Sequence, residues 1–451
     1  MKPAVPQRVM RIQSKLFFVL LILSVIPLTA LTWRIQRATE GLGESIVAGG
    51  KSAVTESIEN QLVQAIDYSS ELLSIRQKLV ETALRAQAGE VRRLLAAAAP
   101  DDPAAGFYFD TAFDNPVTWP PGTELSLDRA AVAGGRSLEA MAISREVQSF
   151  FVPADVAPPM DDIARLKPLT AAYKNLNAAN PGLFYWQYVA LANGVLSSYP
   201  GHGGYPDGYD PRRRIWYQLA MAAGNVIWTP PILDAATRRL ILTSAMPVRG
   251  ADGQFAGVTA IDVDILTQLA TIHDKMRLGP RAESFIVRLT DKDGEVFIAG
   301  ESSGLPELRV IASSATAASG ASWDATIEEP PLFDELGNTE TEIVSDLLSG
   351  KGGLRRMPYK GVESIWVYRE IGRLASALFY IVPVDDIEGL ADRAQDSIRA
   401  ATMEQVRLAG LASVGLIALV GLAAMFASRT VSRPLRALAA TARELAGGNL
   451  E

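Results

Sequence analysis

The chain has no cysteine, which excludes disulfide frameworks, thiolate metal sites and cysteine nucleophiles together and is compatible with an oxidising envelope compartment. Histidine is nearly as scarce: only His202 and His273 are present, too little material for a zinc site. Basic charge is in deficit as well, with 43 Lys and Arg against 50 Asp and Glu and a net charge of -7. No basic face is available to neutralise phosphates, so nucleic acid is excluded as the main partner. Calcium ligands at the full loop spacing are missing around Asp262 and Asp264 and in DKDGE at 291–295, so neither a metal nor any other cofactor is expected. No nucleophile, base and orienter form a recognisable hydrolase set, and His202 in GHGG reads as a solvated loop residue. What is abundant is apolar surface: 48% hydrophobic residues with 7% aromatics, in 451 residues, supply cores for two or three domains.

Two long runs lack charge. Leu16 to Trp33 is 18 residues long, enough at ~1.5 Å per residue to cross roughly 27 Å of hydrocarbon, and longer than the apolar core of a signal peptide. Leu408 to Ser428, fenced by Arg407 and Arg429, is a second such run. Lys2, Arg8, Arg11 and Lys15 precede the first run, and Arg429, Arg433, Arg436 and Arg443 follow the second. That bias places both termini in the cytoplasm and residues 34–407 outside, periplasmic in a cell with two membranes.

Between the runs the pattern predicts an α+β protein. Residues 34–99 lack proline, and apolar residues at Ile58, Leu62, Ala65, Ile66, Leu72, Leu73, Leu79, Val80 and Leu84 paint one stripe of a long helix. The stripe either pairs with a partner subunit or docks on its own domain. Residues 100–182 are broken by ten prolines into short pieces, with one interrupted helix over Asp161 to Ala179 and covering loops elsewhere. Strand signals follow at Leu183–Leu191, Arg239–Val248 and Phe255–Ile265, the last two joined by a turn at Asp252-Gly253. A second set covers Ser284–Leu289, a turn at Asp293-Gly294, Glu295–Ala299, Leu354–Tyr359, Ser364–Glu370 and Ala377–Val382. Two successive antiparallel modules are implied. Asp385 to Arg407 reads as a helix entering the second run, and Pro434 as the start of a further helix ending at Gly447-Gly448.

The chemistry concentrates in Tyr209 to Tyr217, YDPRRRIWY. Asp210-Pro211 is a helix-entry pair, so Arg212, Arg213 and Arg214 cannot all point one way, and one is expected to face inward. A guanidinium matches a carboxylate bidentately; Trp216 offers an indole donor or stacking wall, and Tyr209 and Tyr217 offer hydroxyls. Opposite charge comes from GVTAIDVDI, where alternation puts Asp262 and Asp264 on one face, with Asp234 a third candidate. A buried carboxylate needs a cation, either protein or ligand. Arginine at one end and aspartate at the other suit a zwitterion.

This arrangement of two spans, a long helix, paired outer modules and a helix after the second span resembles the bacterial double-Cache receptors followed by a HAMP helix. YDPRRRIWY and GVTAID resemble the ligand turn and later strand of the amino-acid-binding branch, in which Tyr, four residues, Arg, one residue, Trp, Tyr and a distant Asp recur; Tyr209, Arg214, Trp216, Tyr217 and Asp262 fall on those positions. The resemblance implies that Arg214 and Trp216, helped by Tyr209, hold a ligand carboxylate, and that Tyr217, Asp234 and Asp262 hold its amino group. The chain departs from the pattern at Ile215, where proline is usual, and at Ile232, near where the branch often has another tyrosine.

The resemblance also sets the expected organisation: a cytoplasmic N-terminus (1–15), transmembrane helix 1 (16–33), a long outer helix (34–99), and a membrane-distal ligand-binding Cache module (100–275) with a PAS-like sheet. A membrane-proximal Cache module (276–385), a connecting helix (386–407), transmembrane helix 2 (408–428) and the first helix of a truncated HAMP (429–451) follow. The expected function is a homodimeric, non-enzymatic sensor half in the inner membrane. It binds an amino acid or related carboxylate or amine and signals to an output domain beyond residue 451. The alternative is a ligandless membrane scaffold whose outer modules mediate dimerisation or bind another envelope protein.

Overall fold

The computed structural model describes residues 12–98, 106–126, 140–276, 278–291, 296–297, 304–314, 323–324, 327–333, 337–372 and 375–446. Residues Ile58–Asp386 form one compact unit, and the described parts of the first and last helices beyond those limits belong to another. The fold is α+β. A single helix spans Ile12–Ala96 and carries Pro27 within it. Ile58, Leu62, Ile66, Val80 and Leu84 are buried along it, so over these residues the apolar stripe docks on its own domain. Leu79 departs from that expectation: it is exposed, as are Tyr68 and Ile75, and these three form a separate outward row.

The larger sheet runs, edge to edge, through Tyr108–Phe109, Ser149–Phe151, Leu196–Tyr199, Trp186–Leu191, Phe255–Asp264, Leu240–Arg249 and Ile227–Trp228, with Ile232–Leu233 also paired to Leu240–Arg249. All its pairings are antiparallel except that of Tyr108–Phe109 with Ser149–Phe151. Alternation sorts its two faces. Val189 and Leu191 pack with Val91 and Leu94 of the first helix and with helices Met160–Leu166 and Leu169–Ala179. Trp186, Tyr188 and Ala190 point the other way, toward Trp216 and Ala220 of helix Ile215–Ala223. One buried polar residue keys the first helix to this sheet. Gln87 donates to Tyr188 O at 3.1 Å and to Thr259 Oγ1 at 2.7 Å, and accepts from Gln187 Nε2 at 3.2 Å.

The second sheet is antiparallel throughout, in the order Glu307–Ser313, Glu283–Thr290, Ser376–Pro383, Val362–Ile371, Gly353–Tyr359, and packs helix Asn338–Leu348 through Ile343, Val344 and Leu347. A third, small sheet joins Thr123–Ser126, Met141–Ser144 and Gly201–His202.

The turn expected at Asp252-Gly253 joins the paired strands Leu240–Arg249 and Phe255–Asp264, with Gly253 at φ 79°, a conformation glycine adopts without a Cβ clash. The turn expected at Asp293-Gly294 and most of the Glu295–Ala299 strand lie outside the described residues; Val296 alone bridges Thr290. The region expected to hold covering loops contributes Tyr108–Phe109, Thr123–Ser126, Met141–Ser144 and Ser149–Phe151, because strands of two to four residues survive between prolines when neighbouring strands supply their hydrogen bonds. Glu307–Ser313 is a strand that no sequence signal marked.

The last helix spans Val384–Ala446, with Pro434 inside it and not at a new helix start. It contains the apolar stretch Met403–Thr430, of mean hydropathy 2.3, long enough to cross a membrane. In the first helix the described apolar stretch is shorter, Leu21–Arg34. Gly447 and Gly448, and the basic residues Lys2, Arg8 and Arg11, lie outside the described residues.

Candidate functional site

The turn before helix Ile215–Ala223 distributes its three arginines. Asp210 accepts from Arg212 N at 2.9 Å and pairs with the Arg212 guanidinium at 2.8 Å, which fixes the 3-10 turn Pro211–Arg213. Arg213 is exposed. Arg214, the residue before the helix, has extended backbone and turns inward. Its Nη2 donates to Leu233 O at 3.0 Å and its Nη1 to Trp323 O at 3.2 Å, and its guanidinium lies 5.1 Å from the centre of the Trp323 ring.

Arg214, Tyr209, Trp216, Asp234 and Asp262 line one cavity of about 30 Å³, together with Trp186, Tyr188, Ser198, His202, Tyr205 and Ile232. Five of the six residues expected at the site therefore meet. Tyr217 is buried outside the lining, packed on Trp216 at 5.7 Å and Phe255 at 5.9 Å. Adjacent helical residues project about 100° apart, and here Trp216 takes the direction of the cavity while Tyr217 turns toward Phe255. Of the two departures from the family pattern, Ile215 is an exposed residue and Ile232 is part of the cavity wall.

Strand register supplies the acid. Asp262 pairs with Trp186 across the sheet and shares its face with Val258 and Ala260. It is 2% exposed and accepts from Tyr188 Oη at 2.8 Å and Thr243 Oγ1 at 2.6 Å, both at Oδ1. Burial raises its pKa to about 8, with Asp234 adding to the rise and the hydrogen bonds from Thr243 and Tyr188 and the charge of Arg214 opposing it. No ion pair joins Arg214 to Asp262 among the described residues. Asp264 leaves the site: it pairs with Arg239 and caps helix Ile265–Met276 through Thr267 N at 2.9 Å. Asp234 receives Thr237 N at 2.7 Å and Thr237 Oγ1 at 2.5 Å, both at Oδ2, which closes the turn on which it sits.

Sequence reasoning missed His202. It is not a solvated loop residue but 2% exposed, stacked on Trp186 at 4.1 Å. The flanking glycines serve close packing and not looseness: a Cβ at Gly201 would meet Val147 O at 2.8 Å, and one at Gly203 would meet Asp110 O at 2.6 Å. Nδ1 faces Gly203 O at 2.9 Å, so it carries the proton, and Nε2 accepts from Ser198 Oγ at 3.0 Å and Tyr205 Oη at 3.3 Å. Burial lowers its pKa, keeping the ring neutral. Beside it, Trp186 Nε1 is buried without a hydrogen-bond acceptor among the described residues. The cavity is thus lined by the Arg214 guanidinium, the buried Asp262 carboxyl and, on the strand beside Asp262, the Trp186 indole, with Tyr205 and Tyr209 stacked at 5.0 Å in its wall.

Two mainly antiparallel sheets, one keyed to a long helix and carrying a buried polar cavity, define an α+β sensor-type domain architecture. The chain belongs to the Cache domain (dCache_1) family, whose match covers residues 131–391. Among curated proteins it is similar to the methyl-accepting chemotaxis protein PscA of Pseudomonas syringae pv. tomato, 33% identical over 109 residues, 24% of this chain and 17% of the relative. It is likewise similar to McpB of Bacillus subtilis, 35% identical over 111 residues, 22% of this chain and 16% of the relative. The chain thus spans about a sixth of the length of these relatives. Among solved structures, the ligand-binding domain of the Pseudomonas aeruginosa amino acid chemoreceptor PctC in complex with GABA aligns at 17% identity over 72% of this chain and 99% of that one, with a TM-score of 0.35. That of the Pseudomonas fluorescens chemoreceptor CtaA in complex with L-isoleucine aligns at 17% identity over 75% and 98%, with a TM-score of 0.34.

Proposed function

We propose that this chain is the sensor part of a membrane receptor whose distal module, residues 100–275, binds a small zwitterion such as an amino acid. Residues 276–385 form the proximal module, 16–33 and 408–428 the two membrane spans, and 429–451 the start of a HAMP helix that leads to a cytoplasmic output domain. The observation that carries the reading is that Arg214 and Asp262 face one cavity without pairing with each other. Each is held by groups that a ligand can supplement or replace: backbone carbonyls at Arg214, hydroxyls at Asp262. The named ligands of the chemoreceptor domains that align with it, GABA and L-isoleucine, carry a carboxylate and an amino group.

The role is binding, not catalysis. Ser198 and His202 approach each other at 3.0 Å, but His202 Nδ1 is held by a backbone carbonyl and burial weakens the ring as a base.

The ligand-free cavity, about 30 Å³, has room for about two waters. An amino acid needs more room than this, and Trp323, outside the lining but packed on Tyr209 and bonded through its carbonyl to Arg214, is the residue whose displacement frees the guanidinium. Ligand carboxylate replaces Trp323 O at the guanidinium, and the ammonium meets Asp262, which ionises. Because Trp323 lies between strand Glu307–Ser313 and helix Asn338–Leu348 of the second sheet, its displacement reports occupancy to the proximal module. Gln87 carries the same event to the long helix, since it holds the strands bearing Tyr188 and Ala260. The row of Tyr68, Ile75 and Leu79 supports homodimerisation through that helix.

A thermal-shift screen of the full chain in lipid nanodiscs against amino acids, carboxylates and amines tests the reading. Saturable stabilisation by at least one zwitterion, lost in Arg214→Ala, is expected; a scaffold would respond to none of them.

A further inference from the structure

The protein has a second cavity, of about 80 Å³, where the two sheets and the first helix meet. Leu73 and Val80 of the first helix, Leu242 and Val263 of the distal sheet, and Ile286 and Ile311 of the proximal sheet form an aliphatic wall. Into this wall is set Gln268, on the helix Ile265–Met276 that connects the sheets. Gln268 is 8% exposed, and its Oε1 is buried with no hydrogen-bond partner among the described residues.

An unsatisfied buried amide is costly, so this atom marks a place where a partner is missing. Ser376, Gln77 and Arg76 are further polar lining residues, Ser376 with a partner of its own, but most of the lining is apolar, so a guest with an apolar body and one polar group matches it better than water alone. Gln77, at the margin, is engaged by Glu81 at 3.4 Å. Arg76 contributes from a half-exposed position, where its stem can line the cavity while its charge stays in water. A hydroxyl suits Gln268 in either amide orientation, since it donates as well as accepts. The volume is about half that of a cavity known to take benzene, which limits the guest to roughly four carbons.

We infer that this inter-sheet cavity is a second ligand site, separate from the zwitterion site, that takes a small uncharged aliphatic molecule bearing one hydroxyl, with the hydroxyl on Gln268. A guest there touches the first helix and both sheets at once, so it tightens the junction between the modules and regulates how far they move.

The test is hydrogen–deuterium exchange of the full chain in lipid nanodiscs, with isobutanol and its chloride analogue, 1-chloro-2-methylpropane, as probes. Isobutanol is expected to slow exchange saturably, by about threefold or more, in Ile265–Met276 and Glu283–Thr290 while leaving Ile215–Ala223 unchanged. The chloride should act more weakly. Gln268→Leu should reverse that preference, and Val263→Phe, which fills the space, should abolish both effects. If Val263→Phe fails to fold, the preference reversal in Gln268→Leu still decides. No protection by isobutanol, equal protection by both probes in the wild type, or an unchanged preference in Gln268→Leu would overturn the inference. Protection by isobutyrate but not isobutanol would overturn it too, assigning the cavity to an anion on Arg76.

Discussion

The two sheets use their buried faces differently. The second sheet packs Phe285, Val287, Trp366, Tyr368 and Phe379 into one cluster, with Tyr368 and Phe379 stacked at 5.6 Å, and pairs charged groups with one another, although Thr290 Oγ1 is buried without a partner among the described residues. Arg288 meets Glu329 at 2.8 Å, Arg355 meets Asp346 at 2.8 Å, and Tyr368 Oη donates to Asp346 at 2.6 Å. The larger sheet also buries aromatics, yet in the same layer Arg214 is held by backbone carbonyls, Asp262 by hydroxyls, and Trp186 Nε1 has no acceptor among the described residues. The second sheet meets its charged groups with partners from the chain itself; the larger one holds a guanidinium and a carboxyl in one cavity without pairing them. Incomplete polar burial destabilises an empty pocket, and that is what gives a ligand differential affinity for the occupied state.

Four substitutions can break or sharpen that contrast. The largest effect is expected in the second sheet: Trp366→Ala should cost about 3–5 kcal/mol of stability in chemical denaturation, with ligand affinity of the folded protein unchanged. Loss of affinity without loss of stability would erase the division of labour. Arg214→Ala comes next. It removes charge-assisted bonds worth ~1.5–3 kcal/mol each, so calorimetry should show affinity reduced by about a hundredfold, with melting temperature little changed.

Asp262 gives a pH signature. Its pKa in the fold, about 8, exceeds the ordinary 3.8, so between these values the ligand-free fold binds more protons than the unfolded chain and loses stability as pH rises. His202, whose pKa is lowered from 6.5, opposes this only below that value, which leaves pH 6.5 to 8 as the window belonging to Asp262. In that window melting temperature should fall with pH in the wild type and stay nearly flat in Asp262→Asn. Zwitterion affinity should do the opposite, rising toward about tenfold per pH unit as the carboxyl no longer has to release a proton on binding. The smallest effect is assigned to Trp323→Ala. The ring anchors the segment whose carbonyl occupies Arg214, so removing it should release that carbonyl more easily and strengthen binding by about three- to tenfold in the same calorimetric assay; weaker binding would mean that the Trp323 ring itself contacts the ligand.

The sequence could be read wherever period and chemistry agreed. Phe255–Asp264 alternates cleanly, so its inward face and Asp262 were visible, and the apolar stripe of the first helix marked what it buries at Ile58, Leu62, Ile66, Val80 and Leu84. Asp210-Pro211 announced a helix entry with one arginine turned in. Other parts were hidden because their cause is tertiary. Strands such as Gly201–His202 are too short to show a period and exist because Met141–Ser144 pairs with them. Glycines beside His202 look the same in sequence whether they loosen a loop or admit a close approach, and only the oxygens of Val147 and Asp110 decide. Trp323 lies 109 residues from Arg214, a distance across which no local pattern extends.

The account stands on two opposed charges completed by one guest. Calorimetry on the full chain should compare the best-binding amino acid with its deaminated acid and its decarboxylated amine. The account predicts that the amino acid binds at least about a hundredfold more tightly than either half-molecule, since each lacks one charge-assisted contact and leaves one pole unpaired. An acid or amine that binds as tightly as the amino acid, or a protein to which no amino acid binds, would contradict it.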